Sequence, residues 1–160
     1  MPHNAMTSMD VVGTSFSAYF RAIQARAHEL IEPLSTQELW VRPYAYGNSI
    51  GNLILHLTGN LNYYIGARIA GTGYVRHRDE EFTGSGKSKE PLLAEFDAAI
   101  EIVVETVRKQ TETDWAAPYS AVGTQMPHRF SMVLTCAGHA KEHLGQIIYL
   151  QRKLLGRRGR

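Results

Sequence analysis

Four stretches of about twenty residues carry apolar side chains at three- and four-residue intervals, a period that only α-helices satisfy over such lengths. The first runs from Met9 to Glu32, with Val12, Phe16, Tyr19, Phe20, Ile23, Ala27 and Leu30 on its apolar face, and Pro33 ends it. The second runs from Ser49 to Ala70, capped by Asn48 or Ser49, with Ile50, Leu53, Ile54, Leu57, Leu61, Tyr64, Ile65 and Ile69 facing inward. Gly71-Thr72-Gly73 stops it. The third runs from Lys89 to Gln110, with Ser88 as cap and Pro91 in the first turn; Leu92, Phe96, Ile100, Val103, Val104 and Val107 line it. The fourth runs from Ser131 to Leu155, ended by Gly156. Each would be about 30 Å long. Four apolar-faced rods of matched length predict an all-α, four-helix bundle.

The connections carry fewer signals. Ser35-Thr36-Gln37-Glu38 predicts a short helical turn closed by a capping box. Residues 71–88 are polar and glycine-containing and read as a long helix 2–3 connection, suited to a crossover between parallel neighbours or to a lid. Residues 111–130 read as irregular, with a weak hairpin signal at Ala121-Val122 and from Met126 to Phe130.

With 160 residues, 44% apolar and 20% charged, the chain is expected to form one globular domain over 1–160. A formal charge of +2 gives no reason to expect a nucleic-acid partner. The basic tail Arg157-Arg158-Gly159-Arg160 is expected to be a solvated end rather than a binding arm. Met1 to Asp10 lacks the apolar core of a signal peptide, and no apolar run is long enough to span a membrane. The single cysteine, Cys136, excludes an intramolecular disulfide and fits a reducing compartment. The expected location is the cytoplasm.

Chemistry concentrates in Cys136-Ala137-Gly138-His139-Ala140-Lys141-Glu142-His143-Leu144-Gly145-Gln146. On a helix, His139 and His143 lie one above the other on one face and can hold a divalent metal together. His56, in the middle of the second helix, offers a third ligand. Its face also carries Asn52, Gly59, Asn60 and Tyr63, smaller and more polar than a core face requires. His56 reads either as a core histidine satisfied by a neighbour or as that ligand. His3 is expected in a disordered end, and His28, His77 and His128 on the surface without partners. Cys136 reads as a buried residue or a fourth ligand, and Glu142 as solvent-facing or as a group behind a ligand. The His-x-x-Glu-His order matches inverted zinc proteases, but residues 144–160 contain no Asp or Glu to complete that site.

Asn48-Ser49-Ile50-Gly51-Asn52-Leu53, His56-Leu57-Thr58-Gly59-Asn60 and His139-x-x-x-His143-x-Gly145-Gln146-Ile147 together resemble the DinB-like superfamily. The resemblance covers nearly the whole chain, including Arg76-His77-Arg78-Asp79-Glu80-Glu81-Phe82, similar to an Arg/Asp-rich segment of one bacterial branch. It implies a four-helix bundle, a His56–His139–His143 metal triad open to substrate at one end, and often a homodimer. Some members are S-transferases or isomerases that use low-molecular-weight thiols such as bacillithiol or mycothiol. Many members carry an acidic residue one turn after the first histidine; this chain has Asn60 there, which leaves a general base unassigned.

A three-histidine site keeps a coordination position open, as catalytic zinc does. The expected metal is zinc, with nickel or iron as alternatives. The expected chemistry is transfer or hydrolysis by an activated thiol or water acting on a small-molecule electrophile. Asn60 and Gln146 are expected to orient the ligands. Tyr63, Arg76 and Arg78 are candidate substrate contacts, although the two arginines also read as a solvated charge run. The alternatives are a non-catalytic or stress-related metal protein, and a helical dimerisation module with buried histidines.

Overall fold

The computed structural model describes residues 8–156, with side chains described from residue 11. His3 and the basic tail 157–160 lie outside them. Helix α1 spans Ser8–Ile31, and the capped turn α2 spans Thr36–Leu39. Helix α3 spans Ile50–Leu61 and runs on without a break as a π-helix over Asn62–Ala70. Then come α4 (Arg78–Thr83), α5 (Lys89–Lys109) and α6 (Glu112–Ala116). A hairpin of β1 (Tyr119–Ala121) and β2 (Thr124–Met126) precedes α7 (Arg129–Leu155).

The apolar faces read from the sequence bury as expected, and their packing positions the long helices. Phe16, Phe20, Ile23, Leu30, Leu53, Leu57, Phe96, Ile100, Val103 and Ile147 all belong to one core, although Tyr19 and the start of that face, Val12, stay partly in solvent. Full burial of a side chain such as Phe20 or Phe96 contributes roughly 1.5–3 kcal/mol each. Helix α1 packs on α5 and α7, and α3 packs on the same two. Gln24 donates to Asp97 Oδ1 at 2.8 Å and Gly13 abuts Val107, so α1 and α5 run antiparallel. His28, expected on the surface without a partner, is half-buried and meets the same Asp97 oxygen at 2.8 Å. His77 and His128 are exposed, as expected.

The connection after α3 holds the main departure from the sequence reading. Residues 71–88 contain α4 and travel back along α3 toward its start. Glu81 meets Gly59, Gly84 meets Leu55, and Lys87 O accepts from Trp40 Nε1, whose ring lies on Gly51. The connection therefore descends a stripe of residues 51, 55 and 59, spaced one helical turn apart. Ala70 and Thr72, at the far end of α3, lie beside Thr106 and Lys109 near the end of α5. The two helices run parallel, and the connection is a crossover.

Other differences have local causes. The second periodic segment holds its bounds, but its last nine residues adopt i→i+5 bonding, closed by Gly71 at φ +70°. Helix α6 falls in a stretch read as irregular, where Thr111 and Asp114 close a capping box. The hairpin sits earlier than expected because Val122-Gly123 makes the turn, with Gly123 at φ +70°. Phe130 consequently belongs to α7, which starts at Arg129.

A Cβ on Gly51 would lie 2.6 Å from the Trp40 ring. Gly51→Ala is expected to cost about 1–3 kcal/mol by overpacking. Urea denaturation should show a lower midpoint with an unchanged slope.

Candidate metal centre

His56 reaches from the middle of α3 toward His139 and His143, which stack one turn apart on α7. The three Nε2 atoms converge: His56 to His139 is 2.9 Å and His139 to His143 is 3.2 Å. The rings stand edge to face, with centroids 4.4–5.1 Å apart. Nitrogen ligands about 2.0–2.1 Å from a tetrahedral ion sit about 3.3 Å from one another, close to these separations. Among the described residues, these three form a group whose ligand atoms all lie within 4.8 Å and that could hold a metal ion.

Hydrogen bonds on the far side of two rings decide which nitrogen carries the proton. His56 Nδ1 lies 2.8 Å from Glu81 Oε2. Burial pushes the Glu81 carboxyl up, but hydrogen bonds from His56 and Arg76 outweigh it and hold the group below the ordinary carboxylate value. An ionised carboxylate only accepts, so Nδ1 donates, and in the neutral ring Nε2 is the nitrogen left with a lone pair. Arg76 donates to both Glu81 oxygens, at 2.7 and 2.8 Å. Its Nη2 also stands 3.3 Å from His56 Nδ1 because both groups donate to one oxygen. On α7, His143 Nδ1 lies 2.9 Å from Gln146 Oε1, which leaves its Nε2 lone pair facing inward too.

His139 is thus met by two nitrogen lone pairs. Burial, and then the neighbouring His143 and His56, lower its pKa to about 4. Burial likewise lowers that of His143. Both lowered values favour the neutral ring at His139 and His143, the state in which imidazole ligates a cation. A second sign of fit is Asn60, one turn beyond His56 on α3. It is 7% exposed, and among the described residues its Oδ1 has no hydrogen-bond partner. An orphaned buried acceptor costs about 1–3 kcal/mol and gives a reason to expect a donor, such as a ligand bound beside the triad.

Local sequence explains how Glu81 gets in. A Cβ on Gly59 would fall 2.0 Å from Glu81 Oε1, so the carboxylate occupies the space that the glycine leaves. Asn52 Nδ2 donates to the carbonyls of Glu81 and Gly84, at 3.1 and 2.9 Å. Asn52 Oδ1 closes the cap with Ser49 and takes a bond from Arg42, which also donates to Phe82 O at 2.7 Å. The Phe82 ring packs on the His56 imidazole at 4.9 Å.

The remaining candidates fall in different places. Arg76 is not part of a solvated run: it is 9% exposed at its side chain and paired with Glu81. Arg78 is exposed and lies over the Phe82 ring. The Tyr63 hydroxyl accepts from Val122 N, which ties the hairpin to the π-helix. Gln146 is exposed beyond its bond to His143, and Glu142 faces solvent. Cys136 is buried and outside the three-histidine group, and burial pushes its thiol up to about 12. Glu81 was missed. Its one prior sign was Gly59, a residue too small for a core face.

The geometry defines a mostly helical protein with a three-histidine group suited to a divalent cation. A sequence profile described as the DinB superfamily matches residues 19–147, and the chain belongs to that superfamily. Solved structures share the fold. A conserved protein from Enterococcus faecalis aligns with a TM-score of 0.75 at 17% identity, over 95% of this chain and 99% of that one. DinB-like proteins from Bacillus cereus and Bacillus subtilis each align with a TM-score of 0.66 at 16% identity. They cover 86% and 88% of this chain, and 89% and 92% of their own. No curated protein matches.

A histidine whose pKa drops on folding takes up its proton more readily in the unfolded chain. Between the ordinary value of 6.5 and about 4, the unfolded state binds more protons, so stability falls as pH falls through that window. Chelator-treated protein is expected to melt progressively lower from pH 6.5 to 4, and His139→Gln should flatten the trend; parallel profiles would contradict the assignment.

Proposed function

We propose that this chain is a metal-dependent transferase or hydrolase in which His56, His139 and His143 hold one divalent cation, zinc being the first choice. The observation that carries the reading is the convergence of the Nε2 atoms, with the Nδ1 protons of His56 and His143 held outward by Glu81 and Gln146. When bound, the cation acts as a Lewis acid that lowers the pKa of a thiol or water at its open position. Three neutral imidazoles leave its charge uncompensated, and the charges of Glu81 and Arg76 cancel, so an anionic nucleophile is favoured there. Asn60 Oδ1, a buried acceptor one turn beyond His56, would take a hydrogen bond from a still-protonated thiol or water; an amide cannot remove that proton as a base. The buried Cys136 thiol is a poor nucleophile, so the reacting sulfur comes from a free low-molecular-weight thiol. Arg78, and Tyr63 beside the hairpin, are the candidate contacts for a small substrate.

We further place the four long helical segments in a four-helix bundle, and propose a cytoplasmic homodimer. Among the described residues no helix is long and apolar enough to cross a membrane. A non-catalytic role, with the cation serving the fold, is supported by one feature: the triad joins α3 to α7.

Purified protein is expected to carry about one equivalent of metal per chain by elemental analysis, and His139→Ala to lose it; a full equivalent retained would sink the triad. Zinc at about a thousandfold its Kd should add up to about 4 kcal/mol to chelator-treated protein, less whatever the unfolded chain binds. Turnover of a thiol–electrophile panel by zinc-loaded protein separates enzyme from structural metal site: stabilisation without turnover supports the non-catalytic reading.

A further inference from the structure

We infer that Glu81 is the positioning residue of this centre, and that docking of the α4 segment and capture of the cation are one coupled event. The inference rests on the metal reading above.

Four observations converge on it. The Glu81 carboxylate is buried, and its oxygens take three donors, one from His56 and two from Arg76. It arrives from α4, 25 residues along the chain from His56, so the contact exists only while that segment is docked. The docking is itself built: Gly59 leaves the space, Asn52 holds the carbonyls of Glu81 and Gly84, and Phe82 lies on the His56 ring. Finally, among the described residues α3 is the long helix on which α4 packs most closely. Undocking it would leave the core in place and free the His56 ring to turn or to change tautomer.

A carboxylate behind a metal-binding imidazole fixes its orientation and raises its basicity, and losing such a partner typically weakens metal binding 10–100-fold. Coupling is reciprocal, so the cation must hold α4 down as strongly as α4 holds the cation. Arg76 supplies the counter-charge that lets Glu81 remain ionised when buried.

The test measures zinc Kd by competition with a chromophoric chelator, on full-length folded protein. Glu81→Gln keeps the shape but removes the charge. Gly59→Ala evicts the carboxylate without altering a ligand or Glu81 itself, and serves where Glu81→Gln fails to fold. Lys87→Ala breaks the exposed Lys87–Glu95 pair on the same connection and is the control. Expected are a 10–100-fold rise in Kd for the first two variants and no change for the control. Cobalt-substituted Glu81→Gln should show a shifted visible absorption spectrum, which a loss of stability alone would not produce. Hydrogen exchange at residues 78–83 should slow when zinc is added to wild type and respond less in Gly59→Ala. Wild-type Kd in both variants, or exchange at 78–83 indifferent to zinc, overturns the inference while leaving the triad intact. Wild-type protein that binds no zinc, nickel or iron overturns the metal reading and this inference with it.

Discussion

A charged carboxylate can be buried only if nearly every lone pair finds a donor, and the Glu81–His56–Arg76 contact meets that condition. Much else follows from it. It requires a glycine at 59, because any side chain would collide with the carboxylate. It requires the chain after α3 to turn back along that helix instead of crossing directly to α5. It fixes the His56 tautomer, so that the ring shows its lone pair to α7. Removing either charged partner would strand the other, a penalty larger than the net worth of the pair.

The long helices were legible because their signal is redundant. Leu92, Phe96, Ile100, Val103 and Val107 repeat one message over four turns, and each is buried. Short elements lack that redundancy. Helix α4 reads as a run of charges, Arg78-Asp79-Glu80-Glu81, and its single buried residue is one of them. Helix α6 did carry a signal, the Thr111–Asp114 box, which the surrounding polar sequence obscured. The π-helical end of α3 has no distinctive composition to announce it, and it packs on α5 and α7.

The centre divides the same way. Spacing of i,i+4 on a helix is local geometry, so the α7 pair needed no fold to be seen. Bringing His56 to it needed the packing of α3 on α7; the resemblance to the DinB-like superfamily implied that the three histidines meet. Glu81 lay beyond reach because a buried acid and a solvated one are the same letter in a polar connection. Arg76 and Arg78 make the point sharply: two residues apart, one is buried against Glu81 and the other lies in solvent.

The sequence separations within the centre differ greatly: His139 and His143 are four residues apart, whereas His56 is 83 from His139. A chain without tertiary structure can still bring the close pair around an ion by forming one helical turn, but closing the long loop to the third imidazole costs several times RT in entropy. The denatured ensemble is therefore a weak two-toothed chelator, not an inert reference. Part of any affinity the native protein has for a cation is already present before folding, and only the remainder shifts the folding equilibrium.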